Sequence, residues 1–382
     1  MTPRLDWLDD EVAALQRGQL YRPLRTRESV QGAIVDLDGR SLVNFGSNDY
    51  LGLAVECGKA VDVAVAPRGG GSAASPAIHG RGACHDRLER LIAEFEQCER
   101  ALLFPTGYAT NVGVIPSITG HGDVIFSDTL NHASLIDGCR LSAAKVLIYR
   151  HGDVDHLTEL LRASRTYRRR LIVTESLFSM DGDFAPLVEI CELAERFDAM
   201  TMIDEAHGSG VWGQHGRGVA ELLGIEQSID IRVGTLSKAF GAGGGFVCGS
   251  ETLVTWMRHR ARSYFFSTAM PEPVVEMAIF GMKAAIAEPW RRETVIAHSQ
   301  LARQQLQLLG WDTGLSTSQI VPVHIGASER AMEWMNRLAA ANIFVPAIRP
   351  PSVPDGRALL RLSFSAAHTP EMIQQLLESF RV

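Results

Sequence analysis

Met200-Thr201-Met202-Ile203-Asp204-Glu205-Ala206-His207 is a short apolar run that ends abruptly in ionisable groups. Runs without the polar alternation of a half-exposed strand read as strands buried on both faces. Six more follow the same pattern: Ala101–Phe104, Val124–Phe126, Val146–Tyr149, Leu171–Val173, Ile231–Val233 and Phe246–Cys248. They alternate with helical patterns such as Leu88, Leu91, Ile92 and Phe95. Together they predict an α/β domain whose mainly parallel, seven-stranded sheet is covered by helices. Ligands bind beyond the carboxyl ends of such strands, so Asp204 is a candidate site residue, with a helix cap or a metal ligand as the plainer alternatives.

At 382 residues the chain exceeds one compact core, which predicts a large domain with a smaller companion. Leu5, Leu8, Val12 and Leu15 recur at helical spacing and predict an amphipathic N-terminal arm. Ala33–Leu37 and Ser41–Phe45 flank Asp38-Gly39, a two-residue hairpin signal. After Met270-Pro271-Glu272-Pro273 the pattern changes to long helices, the runs Val321–Ile325 and Leu359–Phe364, a helix between them and one at the end. The predicted division is an arm and hairpin over 1–45, a large α/β domain over 46–282 and a small α+β domain over 283–382.

With 46% hydrophobic and 21% charged residues the chain has ample material for a core. A net charge of -7 offers no basic face to phosphates, which argues against nucleic acid and anionic membranes and for a small-molecule substrate. The six cysteines show no C-x-x-C pair or zinc-like spacing, so reduced thiols and no metal site are expected. Asp9, Asp10 and Glu11 are foreign to a secretory or transit segment, and no apolar run reaches ~18 residues. A cytoplasmic location is the expectation.

A second segment, Thr235-Leu236-Ser237-Lys238, follows another strand and precedes Gly241, Gly243, Gly244 and Gly245. A lone lysine in a loop is commonly just solvated. Its pairing with Asp204 points instead to pyridoxal 5′-phosphate, which needs a lysine for its aldehyde and an acid for its ring nitrogen. Such a lysine must be partly neutral, which desolvation or neighbouring cations achieve. Thr106-Gly107-Tyr108-Ala109-Thr110-Asn111 runs from strand to helix, where unpaired N–H groups and the dipole suit phosphate. Asn131-His132-Ala133-Ser134 follows the strand ending near Ser127-Asp128, placing His132 at the same edge. Asp204-Glu205-Ala206-His207 also resembles a nucleotide-hydrolysis motif of helicases, but the phosphate loop that motif requires is absent from the sequence.

These segments, with Ser47-Asn48-Asp49-Tyr50-Leu51-Gly52-Leu53 and Ser179-Met180-Asp181-Gly182-Asp183, resemble the α-oxoamine synthases over nearly the whole chain. That family of fold-type I pyridoxal-phosphate enzymes condenses an amino acid with an acyl thioester. The resemblance implies Lys238 as Schiff-base lysine and proton shuttle, Asp204 on the pyridine nitrogen and His132 stacked on the ring. It further implies Ser179 and His207 on the phenolic oxygen, Gly107, Tyr108 and Thr235 at the phosphate, and Thr268 reaching a neighbouring subunit's phosphate in a homodimer whose active site lies at the interface. Asn48 is implied near the substrate, with Arg349 on its carboxylate and Ser352 beside it. Within the family, Ala347-Ile348-Arg349-Pro350-Pro351-Ser352-Val353-Pro354 favours the branch that joins L-alanine to pimeloyl-CoA or a pimeloyl carrier protein in biotin synthesis. Branches using glycine or serine are the alternative.

Plainer roles stay open at several positions. Ser179 could shape its own turn, the glycines after Lys238 could simply permit packing, and Glu175 reads equally as a buried carboxylate or a participant. Arg361 reads as structural, and His151, His156, His215 and His368 lack partners at ligand spacing. Gly69-Gly70-Gly71-Ser72-Ala73-Ala74-Ser75-Pro76-Ala77-Ile78-His79-Gly80 departs from the family's glycine-dense stretch before the helix containing His85, and its alanines and proline stiffen a loop that would border the acyl chain.

Overall fold

The computed structural model describes residues 3–58 and 70–381; Gly69 of the loop just quoted lies outside them. The chain divides into two compact units, Met1–Ser47 with Met180–Gly182 and Ala297–Val382, and Asn48–Ser179 with Asp183–Ile296. In the first unit, Asp38 and Gly39 take φ of 53° and 75°, the left-handed pair that an Asp-Gly hairpin turn requires. They join β1 (Ile34–Leu37) to β2 (Arg40–Asn44) and close Leu37 against Arg40. The arm forms the helix Trp7–Arg17, and none of its residues is buried among the described residues.

The second unit holds the seven predicted strands: β3 (Arg100–Phe104), β4 (Val124–Asp128), β5 (Lys145–Tyr149), β6 (Arg170–Glu175), β7 (Met200–Asp204), β8 (Ile231–Thr235) and β9 (Gly245–Gly249). Their order is β3-β9-β8-β7-β6-β4-β5. All neighbours run parallel except β9, which is antiparallel to both β3 and β8. Alternate side chains enter opposite cores. Phe126, Ile172 and Ile203 join Leu157, Leu161 and Ile190 on one face. Ile125, Leu171, Val173 and Met202 join Val114, Leu135 and Met257 on the other. Each such side chain contributes roughly 1.5–3 kcal/mol on burial, which explains runs with no polar face.

This register brings Asp128, Glu175, Asp204 and Thr235, the last residues of β4, β6, β7 and β8, to one edge. The chain leaves β4 toward β5 and leaves β6 toward β7, so a topological switch point falls between β4 and β6, where open α/β sheets bind ligands.

In the first unit, β10 (Ile320–Gly326), β12 (Ala347–Ile348) and β13 (Ala358–Ser363) form an antiparallel sheet in the order β10-β13-β12, while β11 (Ile343–Phe344) runs parallel to β2. The hairpin thereby shares a sheet with the C-terminal region. Helices Ser328–Ala340 and Pro370–Ser379 complete this unit, with Trp311, Trp334 and Phe380 in mutual ring contact.

One buried arginine lies inside the large sheet. Arg232 of β8 is 5% exposed and donates to the Glu96 carboxylate at 3.1 Å and the Glu96 carbonyl at 2.6 Å. Removing one partner of a buried pair leaves the other uncompensated, so Arg232→Ala should lower unfolding free energy in urea by about 3–5 kcal/mol. Replacing both, Arg232→Met with Glu96→Leu, should cost less than Arg232→Ala alone; a double variant weaker than the single one would contradict this.

Candidate active site

The segment after β8 carries Lys238, half-buried, on a turn closed by the Gly241 amide bonding to the Lys238 carbonyl at 2.9 Å. Its Nζ lies 2.8 Å from Nε2 of His207, whose Nδ1 lies 2.6 Å from the hydroxyl of the fully buried Tyr50. The Tyr50 hydroxyl is also 3.1 Å from Asn48 Oδ1. When the phenol donates its one proton to Asn48, His207 is protonated on Nδ1 and presents Nε2 as an acceptor to the amine. Lys238, His207 and Asn48 are thus brought together, and Tyr50, given no role from the sequence, links them.

Asp204, 6% exposed, is held through both carboxylate oxygens: Asn111 Nδ2 donates to Oδ2 at 2.7 Å and the Ala206 amide to Oδ1 at 2.9 Å. Asn111 Nδ2 also reaches Ser134 Oγ at 2.9 Å, and Ser134 Oγ lies 2.8 Å from Nδ1 of His132. His132 caps the helix Ala133–Leu141, its Nδ1 accepting from the Ser134 amide at 3.2 Å. An Nδ1 that accepts an N–H leaves the ring proton on Nε2. Burial lowers the imidazole's proton affinity; the Asp204 charge opposes this and Lys238 assists it, so His132 is neutral near pH 7. The backbone N–H of His132 donates to Glu175 Oε1 at 2.7 Å. Burial first, then the neighbouring Asp204, pushes Glu175 up to about 8 against the pull of Lys238 and the amides of His132 and Ser179.

The helix Gly107–Ile118 begins at the same edge. Its cap Thr106 takes the Ala109 amide on Oγ1 at 3.0 Å and the Thr110 amide on its carbonyl at 3.0 Å, leaving the amides of Gly107 and Tyr108 without partners among the described residues. A Cβ at Gly107 would sit 3.3 Å from Thr235 Cβ, and one at Gly245 would come within 2.6 Å of the Gly107 backbone. Glycine at 245 is therefore required by this close approach. The Tyr108 side chain is exposed and its hydroxyl bonds to Asp137, so its amide rather than its ring belongs to the edge.

Two other sequence candidates, Ser179 and Thr268, stand in loops of the second unit. Ser179 is half-buried in the chain that follows β6, and Thr268 is exposed in the loop before Met270. That loop is tied to the 70–80 segment by Ser72 Oγ on the Met270 carbonyl at 2.7 Å and by the Ala269 amide on the Ala74 carbonyl at 3.0 Å. Arg349 and Ser352 belong to the other unit. Arg349 is 5% exposed, donates to the Gln19 carbonyl and takes part in no ion pair among the described residues, while its Nε has no hydrogen-bond partner there. Ser352 is exposed, its amide 3.1 Å from the Arg349 carbonyl. Arg361 Nη1 bonds to Ser363 Oγ at 2.7 Å inside the small sheet.

The residues at the edge of the large sheet fit pyridoxal phosphate. They provide an amine, a doubly hydrogen-bonded carboxylate, a neutral imidazole and, at a helix N-terminus, two free amides beside a cradle that a Cβ at Gly107 would crowd. Among the described residues no cluster of His, Cys, Asp and Glu could hold a metal ion.

The family model "Aminotransferase class I and II" matches residues 40–380. An 8-amino-7-oxononanoate synthase of Symbiobacterium thermophilum is 42% identical over 98% of this chain and 96% of its own. One from Anaeromyxobacter dehalogenans is 44% identical over 95% of this chain and 92% of its own. The solved serine palmitoyltransferase of Sphingomonas wittichii superposes with a TM-score of 0.92 at 32% identity, covering 100% of this chain and 97% of that one. The solved 8-amino-7-oxononanoate synthase of Francisella tularensis gives 0.77 at 26% identity, over 89% and 97%.

The histidines set aside on sequence are all hydrogen-bonded: His156 to the Arg150 amide, His215 to Glu221, His368 to the Asn44 carbonyl, and His151 to two carboxylates. His151 reaches Asp128 at 3.0 Å and Asp183 at 2.9 Å, and so braces the end of β4 against the chain that follows Ser179. Burial opposes its charge, but the two carboxylates outweigh burial and raise it from 6.5 to about 10. A raised basic group stabilises the fold fully below its unfolded pKa and loses that effect as pH climbs through the folded value. His151→Gln should therefore be less stable than the parent by about 2–3 kcal/mol near pH 6, allowing for partial solvent screening. The gap should narrow steadily and close above pH 10 in urea titrations; a gap independent of pH would rule the ionised clamp out.

Proposed function

The chain belongs to the class I and II aminotransferase family, and from that premise we propose that it joins L-alanine to a pimeloyl thioester. The products are 8-amino-7-oxononanoate, carbon dioxide and the free thiol, as a step of biotin synthesis. The observation that carries this reading is Lys238 Nζ held 2.8 Å from His207 at the same edge as the doubly bonded Asp204, in a chain 42–44% identical to 8-amino-7-oxononanoate synthases.

Bound pyridoxal phosphate supplies an electron sink for the pair left on the amino acid's α-carbon. Lys238 would hold it through Nζ, and its amine would take the α-proton and later return one. Asp204, fixed by Asn111 and Ala206, would pair with the ring nitrogen, and His132 would lie against the ring. The Gly107 and Tyr108 amides with Thr235 would hold the phosphate, while Ser179 and His207 would serve the phenolic oxygen. Asn48 lies by the substrate, and Arg349, buried without an ion pair among the described residues, takes its carboxylate with Ser352 alongside. A homodimer with Thr268 at the partner's phosphate, and a cytoplasmic location, complete the proposal. Among the described residues no helix is long and apolar enough to cross a membrane.

A sister reaction using serine or glycine with another acyl-CoA is the second reading, favoured by the superposition on serine palmitoyltransferase. Thiol release separates the two: alanine with pimeloyl-CoA should outpace glycine or serine with any acyl-CoA in a panel, and the reverse order would establish the sister reaction. Lys238→Ala should carry no covalently attached cofactor after borohydride reduction and peptide mass mapping, whereas the parent carries it on residue 238. Asp204→Ala should fold yet lose on the order of a hundredfold or more in kcat, as when a preorganised electrostatic partner is removed; near-normal turnover would sink its assignment.

A further inference from the structure

We infer that Asn111 and Ser134 are positioning residues that lock the Asp204 carboxylate and the His132 ring into one frame, with Ser134 selecting the imidazole tautomer. The inference rests on the reading above, in which Asp204 and His132 flank the ring of pyridoxal phosphate. Asn111 Nδ2 has two protons and both are used, one on Asp204 Oδ2 at 2.7 Å and one on Ser134 Oγ at 2.9 Å. Accepting from Asn111, the Ser134 hydroxyl has its own proton to give to His132 Nδ1 at 2.8 Å. The donors therefore run one way, from the amide to the carboxylate and through the hydroxyl to the imidazole lone pair. Protonating Nδ1 would set it against the Ser134 amide, which already donates to it at 3.2 Å.

The frame is rigid as well as connected. Asn111 and Ser134 are each 1% exposed, on helices that meet so closely that a Cβ at Gly138 would lie 2.8 Å from the Asn111 carbonyl oxygen. Asn111 Oδ1 is buried with no partner among the described residues. An unsatisfied buried oxygen carries a cost, and here it accompanies an amide turned to serve Asp204 and Ser134 together. His132, which has neither a covalent tether nor a charge to hold it, thus receives its ring plane and its Nε2 proton from this chain of hydrogen bonds.

The test uses the apoprotein and the cofactor-loaded enzyme with Ser134→Ala, Ser134→Thr, Asn111→Ala and Asn111→Asp. Imidazole nitrogen NMR, with the His132 signal identified by its loss in His132→Gln, should show the Nε2-protonated tautomer in the parent and Ser134→Thr, and a partial population of the Nδ1-protonated form in Ser134→Ala, which keeps the longer backbone donor to Nδ1 and loses the shorter hydroxyl one. Equilibrium dialysis with pyridoxal phosphate should show binding weakened on the order of tenfold in Asn111→Ala, which loses a hydrogen bond to a charged group. Asn111→Asp should weaken it further by setting a second carboxylate against Asp204. An unchanged tautomer in Ser134→Ala together with unchanged affinity in Asn111→Ala would overturn the inference. Should Asn111→Ala not fold, the Ser134→Ala tautomer decides alone. Asp204→Ala serves as the reference: if it keeps parental affinity and turnover, the underlying reading of Asp204 fails, whereas an impaired Asp204→Ala beside parental Asn111 and Ser134 variants refutes only the positioning role.

Discussion

Glu175 and Asp204 stand opposite one another in the register of β6 and β7, two carboxylates at the ends of adjacent parallel strands, 3% and 6% exposed. Burying one ionised carboxylate is costly and burying two side by side is worse, so the surroundings must separate their roles. Donors from several elements do so. Asp204 receives a side-chain amide on one oxygen and a backbone amide on the other. Glu175 receives backbone amides from the segments carrying His132 and Ser179, while burial and Asp204 raise its proton affinity. One carboxylate is thereby held in a fixed orientation, and the other ties down the two segments that flank it.

The sheet was legible because its strands are buried on both faces, which leaves continuous apolar runs that no half-exposed strand would carry. The strand ends were legible for the complementary reason: an ionisable residue closing such a run, Asp204, has no place in a core. The direction of β9 was not read from Phe246–Cys248, since an apolar run has no polarity. A signal existed nonetheless, because the link from Thr235 to Gly245 is shorter than the dozen or more residues a parallel crossover needs.

Partners far apart in sequence were illegible. Tyr50 lies 157 residues from His207, and Arg232 lies 136 from Glu96. Spacing says nothing of such pairs, although an arginine inside the apolar run Ile231–Val233 already demanded a buried counter-charge. Asn111 offered a fainter clue: it stands four residues after Gly107, on the same side of a helix whose first turn was already placed at the phosphate. Ser134 offered none, because its task exists only where two helix N-termini converge. The arm shows the converse case. Its apolar spacing was evident in sequence, yet none of the residues of Trp7–Arg17 is buried among the described residues.

The one antiparallel strand does more than fill the sheet. A parallel strand in that place would present its last residue at the ligand edge, whereas β9 presents its first, Gly245, registered with both Phe104 at the end of β3 and Thr235 at the end of β8. A side chain there would collide with the Gly107 backbone at 2.6 Å. Reversal and glycine together let the helix N-terminus after β3 settle against the end of β8, three residues before Lys238. Lys238 and the amides of Gly107 and Tyr108 are thus set a fixed short span apart by backbone alone. Sheet topology rather than the choice of any side chain sets this span, and it is Gly245, among the glycines after Lys238, that the close approach requires.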